Sequence, residues 1–441
     1  MAATRDDNRT VIATDVPRRS ERLGTVLAGH IVFTVVYSAL FANVFWLMPL
    51  LVRLRFGAED AHWKDWQTTL VTAAIPTFMM SSIFWAELLR RVTLRTYLLV
   101  FWLVGAVPLG CVGFAQNYWQ LLACHLVAAA GFASWAPANG RLLKHFYSNA
   151  VRGRAFGLLH ATTLGGSIAA IYFVGAWLER DPNAFRIYFP SAAAVQLIGV
   201  AILRWLVRLT QAEHEVATES ARSWTALLRP VLHMGNVLRA DRTFLRYELA
   251  YMTYGAAFMF CDALLPVLAT DKLGMSYGDY AQSTQMTVRI AMLVVILPMG
   301  WLLDRIGPVR TSGIAFSILA LYPVLLLLAS GPAGVGVASA VYGVGLGGVM
   351  LAWTLGPVAL AGSSERVPQY VAIHATLVGV RGVVFQGAGM ALYKATGGFI
   401  WPLGLAALAF LWAAVQMRQL HSAAGRGKNG SAGASPPCAK D

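Results

Sequence analysis

Twelve apolar stretches divide the chain, six before a polar middle and six after it. They cover about 25–51, 68–89, 97–115, 119–140, 155–178 and 186–206, then 244–270, 282–303, 310–329, 335–361, 370–393 and 401–415. Roughly 20 apolar residues suffice for one helical crossing of a bilayer. A segment in hydrocarbon must satisfy its backbone donors and acceptors internally, so each stretch is expected to be a helix. The pattern predicts an all-α membrane protein with twelve transmembrane helices in two pseudo-repeated six-helix bundles. Its expected parts are a flexible cytoplasmic tail (1–23), a first bundle (24–208), a cytoplasmic linker (209–243), a second bundle (244–419) and a disordered cytoplasmic tail (420–441). In the linker, Trp224, Leu227, Leu228 and Val231 have partial helical spacing, which suits a short helix lying on the membrane surface.

Composition agrees. Of the 441 residues, 57% are hydrophobic and 13% charged, and the mean hydropathy is +0.58. A soluble domain averages about 25% charged residues. The net charge of +14 raises the question of nucleic acid, but its placement excludes it. The loops on one side hold Arg53, Arg55, Lys64, Arg180, Arg186, Lys272 and Lys394, and Arg289 and Arg381 lie inside apolar stretches. The rest of the 35 Lys and Arg fall in the tails and in loops on the other side. That asymmetry is the positive-inside bias and puts both termini in the cytoplasm of a plasma or inner membrane. Cys111, Cys124, Cys261 and Cys438 have neither metal-binding nor disulfide spacing.

The halves repeat weakly. His160-Ala161-Thr162 in the fifth stretch answers to His374-Ala375-Thr376 in the eleventh. Gly175 falls opposite Gly389, and Pro49 opposite Pro266, at offsets of about 214–217 residues. Duplicated halves are a common build for carriers.

After the eighth stretch the chain reads Gly300-Trp301-Leu302-Leu303-Asp304-Arg305-Ile306-Gly307-Pro308-Val309-Arg310. This resembles the G-x-x-x-D-R-x-G-x-x-R loop of the major facilitator superfamily. The resemblance implies that Asp304 and Arg305 form an inner latch between rocking bundles, with Gly307 and Arg310 completing the loop. Asp304 is expected to accept charge-assisted bonds, Gly300 to let helices approach closely, and Gly307-Pro308 to force the turn. The first-half counterpart is degraded. Arg90 and Arg95 keep the spacing of Arg305 and Arg310, but Leu89 replaces the Asp, with Glu87 two residues early. Arg152-Gly153-Arg154 at the start of the fifth helix is a second family echo, and Arg152 joins the gating candidates.

Ionisable residues within membrane helices usually face a cavity or a partner. Asp262 and Arg289 each lie roughly 12 Å from the same end of their helices at 1.5 Å per residue, a depth at which they can pair. Arg381 is near the middle of its helix. One acid against two bases leaves a surplus positive charge near the midplane. Tyr254 shares a helical face with Asp262, Gln285 with Arg289, His374 with Arg381, and Tyr37 with His30. Guanidinium groups grip carboxylates with paired bonds. A base on helix 8 with another on helix 11 is similar to the oxalate/formate and monocarboxylate porter branches, where such bases engage substrate carboxylates. The expected binding set is therefore Arg289, Arg381, Gln285, His374, Tyr254 and Tyr37, with Asp262 coupling or gating.

No nucleotide loop, catalytic triad, zinc spacing or dinucleotide fingerprint appears, so neither an enzyme nor a cofactor is expected. The expectation is a secondary active transporter that moves a small anionic organic solute, such as a carboxylate, by alternating access. An ion or solute gradient drives it, and the proton is the candidate coupling ion. Two alternatives stand beside it: an efflux carrier for amphipathic or cationic compounds, and a transporter-like sensor or assembly protein. The drug-exporter branch carries a Gly-Pro pair in helix 5, where this chain has Leu164-Gly165-Gly166.

Overall fold

The computed structural model describes residues 23–210, 234–362 and 366–432. Among them there is no strand. The expected N-terminal tail and the surface helix around Trp224 lie outside these residues. A short helix, Met234–Ala240, precedes the second half.

Eleven stretches are long and apolar enough to cross a membrane. Ten are single crossings: α1 Leu23–Phe56, α2 Ala61–Leu89, α3 Leu94–Val112, α4 Tyr118–Phe146, α5 Arg154–Arg180, α6 Phe185–Leu209, α7 Arg242–Lys272, α10 Pro332–Leu360, α11 Gln369–Thr396 and α12 Ile400–Ser422. The eleventh, Tyr277–Leu328, has 52 residues. A straight helix of that length would run roughly 78 Å, far beyond a hydrocarbon core of about 30 Å. It breaks at Gly307, whose φ of 77° and ψ of 167° leave the helical region. Only glycine adopts that conformation without steric cost. The break divides the stretch into α8 (277–306) and α9 (308–328), and twelve crossings result.

The helix starts follow local chemistry. Asp60 caps α2 through Trp63 N–H, Asn117 caps α4 through Gln120 N–H, and Asp241 caps α7 through Thr243 and Phe244 N–H. Each cap satisfies donors that the helix itself leaves open. The Asp60 cap explains why α2 begins seven residues before the apolar stretch does. Lys64 and Asp65 belong to its first turns, not to a loop. The last helix continues to Ala432, past the expected end near Val415 and into the expected tail. The run Gln416–Ala424 contains mostly helix-compatible residues, which accounts for the extension.

The repeat is visible in three dimensions. Pro49 and Pro266 sit inside α1 and α7, and each helix ends in a π-helical turn, Val52–Phe56 and Leu268–Lys272. Proline removes a backbone donor and crowds the preceding turn, so an irregular turn nearby is the expected response. The halves meet mainly along α2 with α11 and α5 with α8, and α2 also touches α7.

Within the second half, α10 packs closely on α8 and α9. A Cβ at Gly343 would stand 2.5 Å from the Val288 carbonyl oxygen, and one at Gly345 would stand 2.6 Å from Leu319 Cγ. Small residues matter here because lipid offers helices little hydrophobic drive to associate. Gly300 does not serve this purpose. A Cβ there meets only Leu351 Cδ1, at 4.0 Å, because the close approach falls on the α10 glycines instead. Leu297, Leu328, Ile400 and Phe173 are among the large apolar side chains exposed on the outside.

Candidate substrate cavity and its charged walls

A cavity of about 550 Å³ lies between the halves. Its walls come from α1 (Tyr37, Ser38, Phe41), α2 (Thr72), α5 (Thr163, Ser167), α7 (Tyr254, Phe258, Asp262), α8 (Gln285, Arg289), α10 (Tyr342, Trp353) and α11 (Arg381). That size suits a small organic molecule. Among the described residues the one carboxyl group on the wall is that of Asp262, and the two guanidinium groups are those of Arg289 and Arg381. Arg289, Arg381, Gln285, Tyr254, Tyr37 and Asp262, all singled out in the sequence, therefore meet at one opening.

Their bonding differs from the expected pairing. Asp262 and Arg289 form no ion pair. Arg289 Nη1 donates to the Gln285 side chain at 2.9 Å and to its carbonyl at 3.1 Å, and Nη2 reaches the Ala42 carbonyl at 3.4 Å across the interface. The i,i+4 geometry brings Gln285 to Arg289, and a π-helical turn at Ala281–Met286 sets the approach. Asp262 instead accepts from Gln386 Nε2 at 2.9 Å. Gln386 Oε1 in turn accepts from Thr72 Oγ1 at 2.5 Å, so α7, α11 and α2 are joined through one amide.

Arg381 is buried. Its Nη1 donates to the Tyr251 carbonyl at 3.0 Å, and its guanidinium lies 5.4 Å from the Tyr254 ring centroid. Its Nε has no partner among the described residues. The side chain passes over Gly255, where any Cβ would collide with it. Tyr37 stacks on Phe41 and Phe101 and lies tilted against Trp135.

His374 does not line the cavity. Its Nδ1 lies 2.9 Å from both carboxylate oxygens of Glu248 on α7, and both residues are buried. Trp353 and Tyr251 stand against the imidazole, with ring centroids at 5.3 and 5.1 Å. Glu248 is a second membrane acid in this half, so the expected balance of one acid against two bases is corrected to two against two. His374 is withdrawn from the wall because the Glu248 carboxylate turns it inward. His30 likewise bonds Tyr147, at 3.1 Å, and stays out of the cavity.

Sequence reading missed a charge cluster at one end of the bundle. The Arg53 guanidinium at the end of α1 bonds Asp65 on α2 at 2.5 Å. It also bonds Asp271 and Thr270 on α7, while Lys394 on α11 pairs with Asp65. Nearby, Glu179 on α5 accepts from Gly278 N–H on α8 at 2.9 Å. Every described hydrogen bond or ion pair between the halves lies between this end and the level of Arg289.

The opposite end carries the two loop motifs, with their roles exchanged. Asp304 is exposed and forms no ion pair among the described residues, and Arg305 stacks on Trp301 at 3.7 Å. Arg310 is exposed. The degraded copy is the engaged one: Glu87 is buried and bonds Arg91 at 2.8 Å. The Arg90 side chain lies outside the described ones. Arg152 donates to the Tyr147 carbonyl at 3.1 Å, so it caps the end of α4 rather than reaching across the bundles.

Twelve membrane helices in two halves around a solute-sized cavity, with a few charged groups on a mostly apolar wall, define a multi-pass membrane transporter rather than an enzyme. The chain belongs to the Major Facilitator Superfamily, whose sequence profile matches residues 31–393. No curated protein matches the chain. Among solved structures it is similar to a peptide transporter, POT, in complex with sulfate, with TM-score 0.69 and 12% identity over 92% of this chain and 95% of that one. It is also similar to the nucleoside transporter NupG, with TM-score 0.67 and 14% identity over 91% and 99% of the two chains. FucP in the outward conformation gives TM-score 0.58 and 15% identity over 91% and 99%. These likenesses are of fold.

Proposed function

We propose that the protein is a secondary active carrier for a small anionic organic solute, with a carboxylate as the favoured chemistry. One observation carries this reading: two guanidinium groups and a single carboxylate face a cavity of about 550 Å³. Arg381 and Arg289 bind the anion, and Tyr37, Tyr254 and Gln285 complete the walls. Fixed donors in a site of low dielectric bind charge far better than the same donors in water.

The positive-inside bias orients the chain with both termini and the Asp304 loop in the cytoplasm. The Arg53 cluster then seals the outer end, and the described state is inward-facing. Asp262 connects the cavity to the α2–α11 interface through Gln386 and Thr72, which suits a gating role. Asp304 becomes a latch only in the opposite state.

A second reading rests on Asp262 and the aromatic wall of Tyr254, Phe258, Tyr342 and Trp353. Such a wall favours amphipathic cations, and export would follow. A thermal-unfolding screen separates the two, since a ligand that binds the folded state raises its stability. Carboxylates such as lactate and oxalate are expected to raise the melting temperature, and tetraphenylphosphonium and glucose are not. A shift with the cation alone would transfer the assignment to the second reading.

A further inference from the structure

The Glu248–His374 pair has no part in the cavity wall, yet it is a buried titratable pair beside the substrate site. Nδ1 of His374 stands 2.9 Å from both Glu248 oxygens. With Glu248 ionised the carboxylate only accepts, and Nδ1 then carries the hydrogen. The lone pair of the neutral ring is then on Nε2, which is buried and without a partner among the described residues. This is the one open base position of the pair.

The groups facing the pair are few. Tyr247 and Tyr251 come from α7, and the Tyr247 hydroxyl is occupied by the Ala352 carbonyl at 3.2 Å. Tyr251 shares its hydroxyl with Ser312 of α9 at 2.9 Å. From α10 there is Trp353, which stands between His374 and the cavity. From α11 there is Arg381, on the same face as His374 and two helical turns away. Arg381 donates to the carbonyl of Tyr251, three residues from Glu248 on α7. Toward the helix end, Tyr370 donates to Asp241 at 2.7 Å.

We infer that His374 Nε2 is a proton-binding site whose occupancy sets the charge available to the substrate at Arg381. This rests on the anion-carrier reading and names its coupling ion. With Nε2 bare, the pair carries one negative charge, and Glu248 serves as the internal counter-ion of Arg381. Proton binding at Nε2 makes the pair an imidazolium–carboxylate of no net charge. Arg381 then has a positive charge to offer, and a solute carboxylate supplies the compensation. Proton and anion therefore bind cooperatively, and each raises the affinity for the other by the same factor.

The test is calorimetric titration of the full-length protein with lactate and oxalate, across pH and in buffers of different ionisation enthalpy. Wild type is expected to take up one proton per anion. Its affinity should fall about tenfold per pH unit once Nε2 is bare. Glu248→Gln keeps the shape and still accepts from Nδ1–H, but removes the internal counter-ion. It should bind the anion at all pH values as tightly as wild type does at low pH, without proton uptake. His374→Gln should bind weakly and without pH dependence.

Histidine ¹⁵N NMR on the ligand-free protein gives an independent readout: a titrating Nε2 signal should vanish in His374→Gln. Proton uptake that survives His374→Gln and disappears in Asp262→Asn would overturn the inference and leave the carrier reading intact. Tight anion binding by wild type with no proton uptake would do the same. If neither carboxylate binds, the carrier reading falls, and the NMR signal alone decides whether His374 binds a proton. A ring that does not titrate would then overturn the site as well.

Discussion

Asp262 and Gln386 form the bond that ties the cavity to the interface between halves. The Gln386 amide donates to the carboxylate at 2.9 Å and accepts from Thr72 at 2.5 Å. It is fully buried, so nothing else can solvate its ends. Gln386→Leu should remove both bonds and lower stability by roughly 1–3 kcal/mol, the usual cost of leaving buried polar groups unpaired. Thermal unfolding checks the stability. A variant with wild-type stability and wild-type transport would remove the relay from the account.

The Arg53 cluster makes a prediction about conformation. Breaking a buried pair costs about 3–5 kcal/mol, and here that cost falls on the state closed at the Arg53 end. Arg53→Gln should shift the population toward the state open at that end. Distances between spin labels on α1 and α7, measured by double electron–electron resonance, are expected to lengthen there. An unchanged distance distribution would show that the cluster does not hold the gate.

Gly255 is predicted to be essential for a reason outside its own chemistry. Any side chain there meets Arg381 Cδ, Nε and Nη1. Gly255→Ala should displace the guanidinium and weaken carboxylate binding by about tenfold to a hundredfold, the range for one charge-assisted hydrogen bond. The Glu248–His374 pair should survive, so the histidine NMR signal provides a control. Carboxylate affinity equal to wild type would place binding elsewhere.

The two loop motifs should respond oppositely to neutralisation. Asp304→Asn alters an exposed, unpaired group and should change stability by less than about 0.5 kcal/mol. Glu87→Gln removes a buried partner of Arg91 and should cost roughly 1–3 kcal/mol. Chemical denaturation in detergent compares them directly. Equal effects would mean that the intact motif is latched in this state too.

Much of this was legible in the sequence. Length and apolarity define the crossings, and the rarity of charge in them picked out Asp262, Arg289 and Arg381, all three of which reach the cavity. Their partners were not legible. Gln386 and Asp262, like Glu248 and His374, meet on neighbouring helices more than a hundred residues apart in the chain. Which residues face each other depends on helix rotation. In water an amphipathic face reveals that rotation, whereas lipid-exposed faces are as apolar as packed ones, so the pattern carries little of it. Glu248 was concealed for a simpler reason: it lies within the first two turns of α7, where an acid passes for an interfacial residue. Asp65 falls before the apolar stretch that starts at residue 68, because the Asp60 cap extends α2 beyond its apolar run. The intact Asp304 motif drew attention that the structure gives instead to Glu87.

Uptake into proteoliposomes is the most direct test of the anion assignment. Wild type should accumulate labelled lactate or oxalate against competition by the other and ignore glucose and tetraphenylphosphonium. Arg381→Gln and Arg289→Gln should each reduce that uptake at least about tenfold, as expected for loss of a charge-assisted contact. Uptake of the cation or the sugar that persists in both arginine variants, with none of either carboxylate in wild type, would contradict the account.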